Sequence, residues 1–135
     1  MYIDSLSSAL DETGVGCRYL GSMNHIAYAD DVILLSPSHH GLQVLLNTCE
    51  RFAEEYDIKY NTKKTVCLIM RPKALKNLKT PELSLCGTIL RVVSEYKYLG
   101  YFMTDNVRDD LEIQQQYRML CCRTNSLIRK FGMCT

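Results

Sequence analysis

The stretch at residues 25–35 limits the fold most, because two adjacent carboxylates, Asp30 and Asp31, interrupt an otherwise mostly apolar run. Ile, Val and Tyr favour strands and Asp tolerates turns, so this pattern predicts a β-hairpin with both carboxylates at or beside its tip. Carboxylates beside apolar surroundings are costly unless a cation or hydrogen-bond donors satisfy them. Mg²⁺ prefers carboxylate oxygens and substrate phosphates. The pair therefore indicates a magnesium site for phosphoryl transfer, with an acidic surface turn as the alternative.

A second acidic pair, Asp109 and Asp110, provides a comparison within the same chain. These residues lack apolar flanks and open the helical pattern at residues 107–131. Negative charge in the first turn of a helix interacts favourably with the helix dipole, which explains this second pair without any ligand.

Composition restricts the functional classes. A length of 135 residues suits one modest domain, and 47% hydrophobic with 23% charged residues is typical of a folded protein. The net charge of +1 provides no overall attraction to nucleic acid, so such binding would need local basic patches. Because the start lacks a basic leader and no apolar run reaches membrane-spanning length, we expect an intracellular protein, nuclear or cytoplasmic, outside the membrane.

The seven cysteines are scattered and include no Cys-x-x-Cys pair. Cys49 and Cys67 fall within apolar patterns, which predicts small buried thiols in a reducing compartment rather than disulfides or a zinc site. His39 and His40, at the start of a predicted helix, have no acidic or cysteine partner in phase and are interpreted as solvated polar residues.

The clearest helix lies at residues 40–56, where apolar residues step by three and four positions. Such a stripe predicts a helix that packs on one side of a sheet. Its members are Leu42, Leu45, Leu46, Cys49, Phe52, Ala53 and Tyr56.

Two basic segments follow this helix. Residues 61–65 form an Asn-led turn that contains Lys63 and Lys64, and residues 71–81 form a proline-bounded connection. The connection carries Lys73, Lys76 and Lys79 without acids, which makes it the best candidate for contact with backbone phosphates. Both segments have a simpler interpretation as solvated surface, because lysines are mostly exposed.

The remainder predicts two further strand pairs and a final helix. Residues 83–93 form a hairpin that turns near Gly87, and residues 96–103 form an aromatic pair with Gly100 where backbone can approach closely. The whole pattern predicts an α+β fold with an antiparallel sheet and a packed amphipathic helix. The final helix places its apolar residues on one side: Leu111, Tyr117, Leu120, Cys121, Thr124, Leu127, Ile128 and Phe131.

Together these motifs resemble the C-terminal half of the palm of a reverse transcriptase, most like those of non-LTR retrotransposons. The matching motifs are Tyr28-Ala29-Asp30-Asp31, then Asn61 with Lys64 and Thr65, then Tyr98-Leu99-Gly100. The resemblance implies a partial palm at residues 1–104, with the active-site hairpin at 24–36, helix 40–56 and a primer-grip-like hairpin at 83–103. Residues 105–135 would begin a thumb-like helical region.

The resemblance also implies roles for single residues. Asp30 would bind the catalytic Mg²⁺ ions, with Asp31 more peripheral, and Tyr28 would pack beneath the primer terminus. Lys64 would lie near the departing pyrophosphate. The Tyr98, Leu99 and Gly100 segment would hold the primer strand, so the implied partners are an RNA template and a DNA primer.

One departure from the family concerns the missing upstream motifs. Reverse transcriptases need another carboxylate on an upstream strand, yet Asp4, Asp11 and Glu12 do not follow an apolar strand. We therefore expect a fragment that lacks the fingers and first palm half and is inactive alone. The alternatives are a non-catalytic domain that binds nucleic acid through residues 71–79 and the final helix, and an inert remnant.

Overall fold

A computed structural model describes residues 2–18, 22–71, 73–75, 77–106 and 110–131, and it confirms the predicted α+β class. The α-helices are α1 (Tyr2–Glu12), α2 (His39–Tyr56) and α3 (Asp110–Phe131), and a short 3₁₀ helix covers Lys73–Leu75. The strands are β1 (Cys17–Arg18), β2 (Ser22–Met23), β3 (His25–Tyr28), β4 (Asp31–Leu34), β5 (Val66–Leu68), β6 (Ser84–Leu85), β7 (Thr88–Ile89), β8 (Arg91–Val93), β9 (Glu95–Tyr98) and β10 (Tyr101–Thr104). Within the described ranges they pair two by two, as β1 with β2, β3 with β4, β5 with β8, β6 with β7 and β9 with β10.

The chain divides into two units. The first contains Met1–Val66 and Lys79–Arg91, and the second contains Cys67–Leu78 and Val92–Thr135. In the first unit α1 and α2 pack together, and β3, β4 and β6 pack against these helices. Its buried side chains include Leu6, Leu10, Leu45, Leu46, Cys49, Phe52, Ala53, Leu83, Leu85 and Leu90.

Helix α2 is the main scaffold of the first unit, as its predicted stripe required. Ser38 caps its start by accepting a hydrogen bond from the Gly41 amide at 3.1 Å. At its end Asp57 adopts a left-handed conformation, with φ of 52°. Phe52 stacks on Tyr56 with ring centroids 4.3 Å apart, and Tyr2 of α1 meets Tyr56 edge-on at 5.7 Å. The helix thus joins α1 through its last turns.

The β6–β7 hairpin attaches to α2 through side-chain amide bonds. Gln43 Nε2 donates to the Ser84 carbonyl at 3.0 Å, and Gln43 Oε1 accepts from the Ser84 amide at 3.0 Å. Cys86 and Gly87 form its two-residue turn, with φ of 50° and 72°. This is the turn near Gly87 that the sequence predicted, and positive φ at both positions matches the twist of the strands.

The described cysteines differ in burial, and Cys17 is half-buried, while Cys134 lies outside the described ranges. Cys49 and Cys67 are buried as predicted, whereas Cys86, Cys121 and Cys122 are exposed, so the expectation of buried thiols holds only for part of the set. Burial raises the pKa of the Cys49 thiol to about 11. Burial also raises the pKa of Tyr60, whose hydroxyl has no hydrogen-bond partner in the described residues. Both groups therefore stay neutral at physiological pH.

In the second unit α3 packs beside the β9–β10 hairpin. The predicted helix at residues 107–131 is present from Asp110, and residues 107–109, which include Asp109, lie outside the described ranges. Its apolar stripe does not form a core: Tyr117 is 68% exposed and Leu120 is 62% exposed. Within the described residues, none of the helices is both long and apolar enough to cross a bilayer.

Candidate metal-binding hairpin

The acidic pair lies at the tip of a β-hairpin, as the sequence predicted. Strands β3 and β4 pair antiparallel, and Tyr28 lies opposite Asp31 as the last pair. Ala29 and Asp30 form the two-residue turn between them, and Ala29 has φ of 51°. Positive φ at the first turn residue suits the two-residue hairpin turns that match strand twist. The turn therefore places Asp30 at the end of the hairpin and Asp31 at its first paired position.

The tip is open to solvent. Tyr28 is 62% exposed, and both Asp30 and Asp31 are exposed. In the part of the chain that the structure describes, neither carboxylate makes a hydrogen bond or ion pair through its side chain. The apolar surroundings expected from the sequence do not cover the carboxylates here. Instead, two adjacent negative charges repel each other at an accessible tip, an arrangement that a bound cation would relieve.

A buried asparagine anchors the base of this hairpin. Asn24 is 2% exposed, and its Nδ2 donates to the Leu10 carbonyl at the end of α1 at 2.7 Å. Its own carbonyl accepts from the Leu35 amide at 2.7 Å, which adds a backbone bond beyond the end of β4. One residue thus joins α1 to both strands of the hairpin.

His25 extends this anchor along the surface of α1. Its Nδ1 donates to Asn24 Oδ1 at 2.6 Å, and its Nε2 is hydrogen-bonded to Ser7 Oγ at 2.8 Å. Asp11 Oδ1 lies 3.9 Å from the same Nδ1. The imidazole is held on both sides, so rotation of the hairpin base about α1 would break several hydrogen bonds at once.

We expect Ala29→Gly to leave the stability unchanged or to raise it by up to about 1 kcal/mol. A left-handed conformation costs Ala about 1–2 kcal/mol, and the greater backbone entropy of Gly in the unfolded chain offsets part of the gain. The control is Ala27→Gly, within β3, which should lower the free energy of unfolding by about 0.5–1 kcal/mol. Urea denaturation measures both, and equal losses in the two variants would contradict the strained turn.

Lys64 lies in a separate turn of the same unit. The Asn61 carbonyl accepts from the Lys64 amide at 3.1 Å and from the Thr65 amide at 3.0 Å, and Thr65 Oγ1 donates to it at 2.9 Å. Asn61 therefore organises the turn that the sequence predicted. The Lys64 side chain is exposed, and within the described residues it forms no ion pair with either aspartate.

The primer-grip-like segment lies in the second unit. Leu99 and Gly100, with φ of 48° and 87°, form the turn between β9 and β10, where Tyr98 pairs with Tyr101. Gln115 of α3 donates through Nε2 to the Gly100 carbonyl at 3.2 Å. The turn is thus supported by α3. The Tyr98 hydroxyl is buried and has no hydrogen-bond partner among the described residues.

Arg71, the first residue of the basic connection, makes two hydrogen bonds. Arg71 Nη1 donates to the Leu78 carbonyl at 2.6 Å, and the Arg71 amide donates to the Asp105 carbonyl at 3.0 Å. Lys79 is exposed. Lys73 begins the 3₁₀ helix, but its side chain is outside the described set, as is the whole of Lys76. The predicted phosphate contacts of Lys73, Lys76 and Lys79 therefore stay predictions.

The donor atoms at the hairpin tip fit a hard divalent cation only in part. Carboxylate oxygens are suitable ligands for Mg²⁺, which can complete its shell with water and phosphate. Among the described residues, however, no group of three His, Cys, Asp or Glu side chains is placed to hold a metal ion. The tip supplies two of the carboxylates that a two-metal site needs.

The sequence patterns identified the tip but missed its anchor. No periodicity marks Asn24, although a polar residue directly before an apolar strand is the kind of position where a buried amide can connect elements. Ser7, the partner of His25, gives no detectable signal in the sequence, because a serine on a helix is most often only a surface residue.

Comparison with known proteins adds one match. The family model described as reverse transcriptase (RNA-dependent DNA polymerase) matches residues 1–103. This range includes the hairpin tip, the Asn61 turn and the turn at Leu99 and Gly100. No curated protein and no solved structure matches the chain.

Proposed function

This chain belongs to the reverse transcriptase family, and we propose that its β3–β4 hairpin supplies part of a magnesium site for nucleotidyl transfer. Reverse transcriptases use divalent metal ions and act on a nucleic-acid template and primer. The observation that carries the proposal is the placement of Asp30 and Asp31 at an exposed tip, beside Tyr28, in a hairpin with an anchored base. An anchored base matters because metal ligands must be held in place before the ion binds.

Each residue at the tip has a proposed task. Asp30, at the turn, would bind the metal ions directly, and Asp31 would assist from the first paired position. The bound Mg²⁺ would supply charge neutralisation of the attacking and leaving oxygens. Tyr28 would present its exposed ring to the primer terminus. Lys64 would place its ammonium near the departing pyrophosphate, where a positive charge stabilises the leaving group.

The remaining residues would hold the nucleic acid. Tyr98, Leu99 and Gly100 form a turn supported by α3, and we propose that this turn contacts the primer strand. Lys73, Lys76 and Lys79 would contact backbone phosphates. We propose an origin in a retrotransposon of the non-LTR type, because the three motifs resemble those of that group.

We propose further that this chain needs another carboxylate from outside its described residues. Two carboxylates leave a two-metal site short of ligands, because each Mg²⁺ takes six. The missing acid would come from an upstream palm strand. We therefore expect the purified chain to give no primer extension on an RNA template with Mg²⁺, and an extended product would contradict this part of the proposal.

Metal binding by the tip is testable on the whole chain. We expect Mn²⁺, a paramagnetic substitute for Mg²⁺, to broaden the amide signals of residues 28–32 in the ¹⁵N-labelled protein, and added Mg²⁺ to restore them. Asp30→Asn should raise the Mn²⁺ concentration needed for the same broadening at least about tenfold, because it removes one charged ligand from the pair.

The matched control is Glu55→Gln, which removes one exposed carboxylate from α2 by the same chemical change. It should leave the titration at the hairpin unchanged. Broadening spread evenly over all exposed acids, or equal titrations for Asp30→Asn and the unaltered chain, would overturn the metal site.

A further inference from the structure

A cavity of about 390 Å³ lies between the β9–β10 hairpin and α3, entirely within the second unit. Sites for small molecules usually have volumes of about 300–1,000 Å³, so this cavity is large enough for a small organic ligand. Its lining combines two cations, one acid, two amides and one aromatic ring, and none of them has a task in the proposed function. The lining residues are Glu95, Lys97, Phe102, Gln114, Gln115 and Arg118.

The hairpin contributes one face of side chains to this cavity. Because side chains alternate along a strand, Glu95 and Lys97 of β9 lie on the same face. Phe102 of β10 is the cross-strand partner of Lys97, and Lys97 Nζ lies 5.4 Å from the centroid of its ring. This cation–π contact positions the ammonium at the cavity before any ligand binds.

Helix α3 contributes an acceptor without a partner. Gln115 Nε2 donates to the Gly100 carbonyl at 3.2 Å, and this hydrogen bond fixes the orientation of the amide. Gln115 Oε1 is buried and accepts no hydrogen bond from any residue that the structure describes. A buried acceptor without a partner is costly, so the cavity favours a molecule that brings a hydrogen-bond donor.

The two cations of the cavity are not paired with acids. In the described parts of the chain, neither Lys97 nor Arg118 forms an ion pair, although Glu95 lines the same cavity. Two such cations favour a dianion, and a phosphate monoester carries a charge of about −1.5 to −2 at pH 7, whereas a carboxylate carries a single charge. The planar fork of the Arg118 guanidinium also matches two phosphate oxygens.

We propose that this cavity binds a small phosphate monoester that carries hydroxyl groups, as a sugar phosphate or a mononucleotide does. Lys97 and Arg118 bind the phosphate group, and Gln115 Oε1 and the Glu95 carboxylate accept hydrogen bonds from the hydroxyl groups. This inference does not rest on the proposed function, because it involves neither the metal nor the hairpin tip nor a nucleic-acid strand.

Titration of the ¹⁵N-labelled whole chain in the absence of metal tests the site. The probes are ribose 5-phosphate and adenosine 5′-monophosphate, and each should shift the amide signals of residues 95–97, 102 and 114–118. Both should bind at least about tenfold more tightly than inorganic phosphate, which brings no hydroxyl-bearing carbon skeleton to Glu95 and Gln115. Tighter binding of adenosine 5′-monophosphate than of ribose 5-phosphate would identify a mononucleotide as the ligand, and equal binding would identify a sugar phosphate.

Two substitutions test the cations. Lys97→Met and Arg118→Gln should each raise the dissociation constant of ribose 5-phosphate at least about tenfold, because each removes a charged donor to the phosphate. The matched control is Arg123→Gln, which removes an exposed cation of α3 that does not line the cavity, and it should leave the affinity unchanged. Circular dichroism checks that all three variants keep their helices.

Several results would overturn this site. They are no binding of either probe at millimolar concentration, signal shifts at Lys64 or the hairpin tip instead of the cavity, equal binding of inorganic phosphate, and an equal loss of affinity in Arg123→Gln. Displacement of the probe by a primer–template hybrid would assign the cavity to a nucleic-acid strand and would also overturn it. Because none of these titrations uses metal, their failure would leave the proposed metal site untouched.

Discussion

Asn24→Ala is expected to lower the free energy of unfolding by about 2–4 kcal/mol. The substitution removes the donor to the Leu10 carbonyl and the acceptor for His25, and both bonds are short, at 2.7 and 2.6 Å. Each buried polar group left without a partner costs about 1–3 kcal/mol. Since Asn24 is 2% exposed, water cannot easily replace the lost amide. Denaturation in urea measures the loss.

Two further variants make the Asn24 prediction specific. Asn24→Asp keeps an acceptor for His25 but cannot donate to the Leu10 carbonyl when ionised, so it should also destabilise the chain. Asn47→Ala removes an amide that accepts from Gln43 on the exposed surface of α2, at 2.8 Å, and should change stability by less than about 0.5 kcal/mol. An Asn24→Ala loss as small as that of Asn47→Ala would contradict the buried anchor.

Loss of the Asn24 anchor should also affect the hairpin tip. Without the bond to α1, the hairpin base can move, and amide hydrogens of β3 and β4 should exchange faster than in the unaltered chain. Mn²⁺ should still broaden the signals of residues 28–32, because Asp30 and Asp31 are unchanged, but at a higher metal concentration. This result would distinguish the role of Asn24, which holds the hairpin in place, from that of Asp30 and Asp31, which bind the metal.

Leu45→Ala is expected to lower the free energy of unfolding by about 2–5 kcal/mol. Leu45 is 0% exposed in α2, at the centre of the core that α1 and α2 form, so truncation leaves a cavity as well as losing buried apolar area. Thermal denaturation and urea denaturation both report the change. For Leu45→Ala the urea concentration at the midpoint of unfolding should fall. The slope of the unfolding free energy against urea concentration should stay unchanged.

The control for Leu45 is the same substitution at Leu78, which is 58% exposed. Leu78→Ala should change the stability by less than about 0.5 kcal/mol, because an exposed side chain leaves no cavity. If both variants lose the same stability, Leu45 does not lie in the core. A large loss at Leu78 alone would indicate that this side chain is covered in solution.

The local elements of this protein follow from short-range patterns. The hairpin tip, helix α2 and the turn at Gly87 lie where the sequence predicted them. Each depends on neighbours within a few residues: apolar periodicity, turn residues and caps such as Ser38. Gly100 lies within the predicted aromatic strand pair, but no described atom lies within 4 Å of a Cβ placed on it, so the expected close backbone approach is wrong and the positive φ of the turn favours glycine there instead. The negative charge of the tip also follows from the sequence, because adjacent carboxylates carry the same charge wherever they lie, whereas metal binding there stays a prediction.

Contacts between residues far apart in the sequence could not be predicted from such short-range patterns. Asn24 meets the Leu10 carbonyl 14 residues away, and Gln43 meets Ser84 41 residues away. A Cβ on Gly16 would lie 2.8 Å from the Met23 carbonyl oxygen, so this glycine is required by a close backbone approach. No periodicity marks such positions, because each depends on which surfaces the folded chain brings together.

The apolar stripe of α3 shows most clearly what the sequence pattern predicts and what only the tertiary structure decides. Its spacing was visible in the sequence, and the helix forms from Asp110 to Phe131 as the pattern requires. Periodicity specifies that one face of a helix is apolar, but not what that face contacts. Only the tertiary structure assigns the opposite face to the β9–β10 hairpin and leaves Tyr117 and Leu120 exposed, because packing depends on the position of other elements in space.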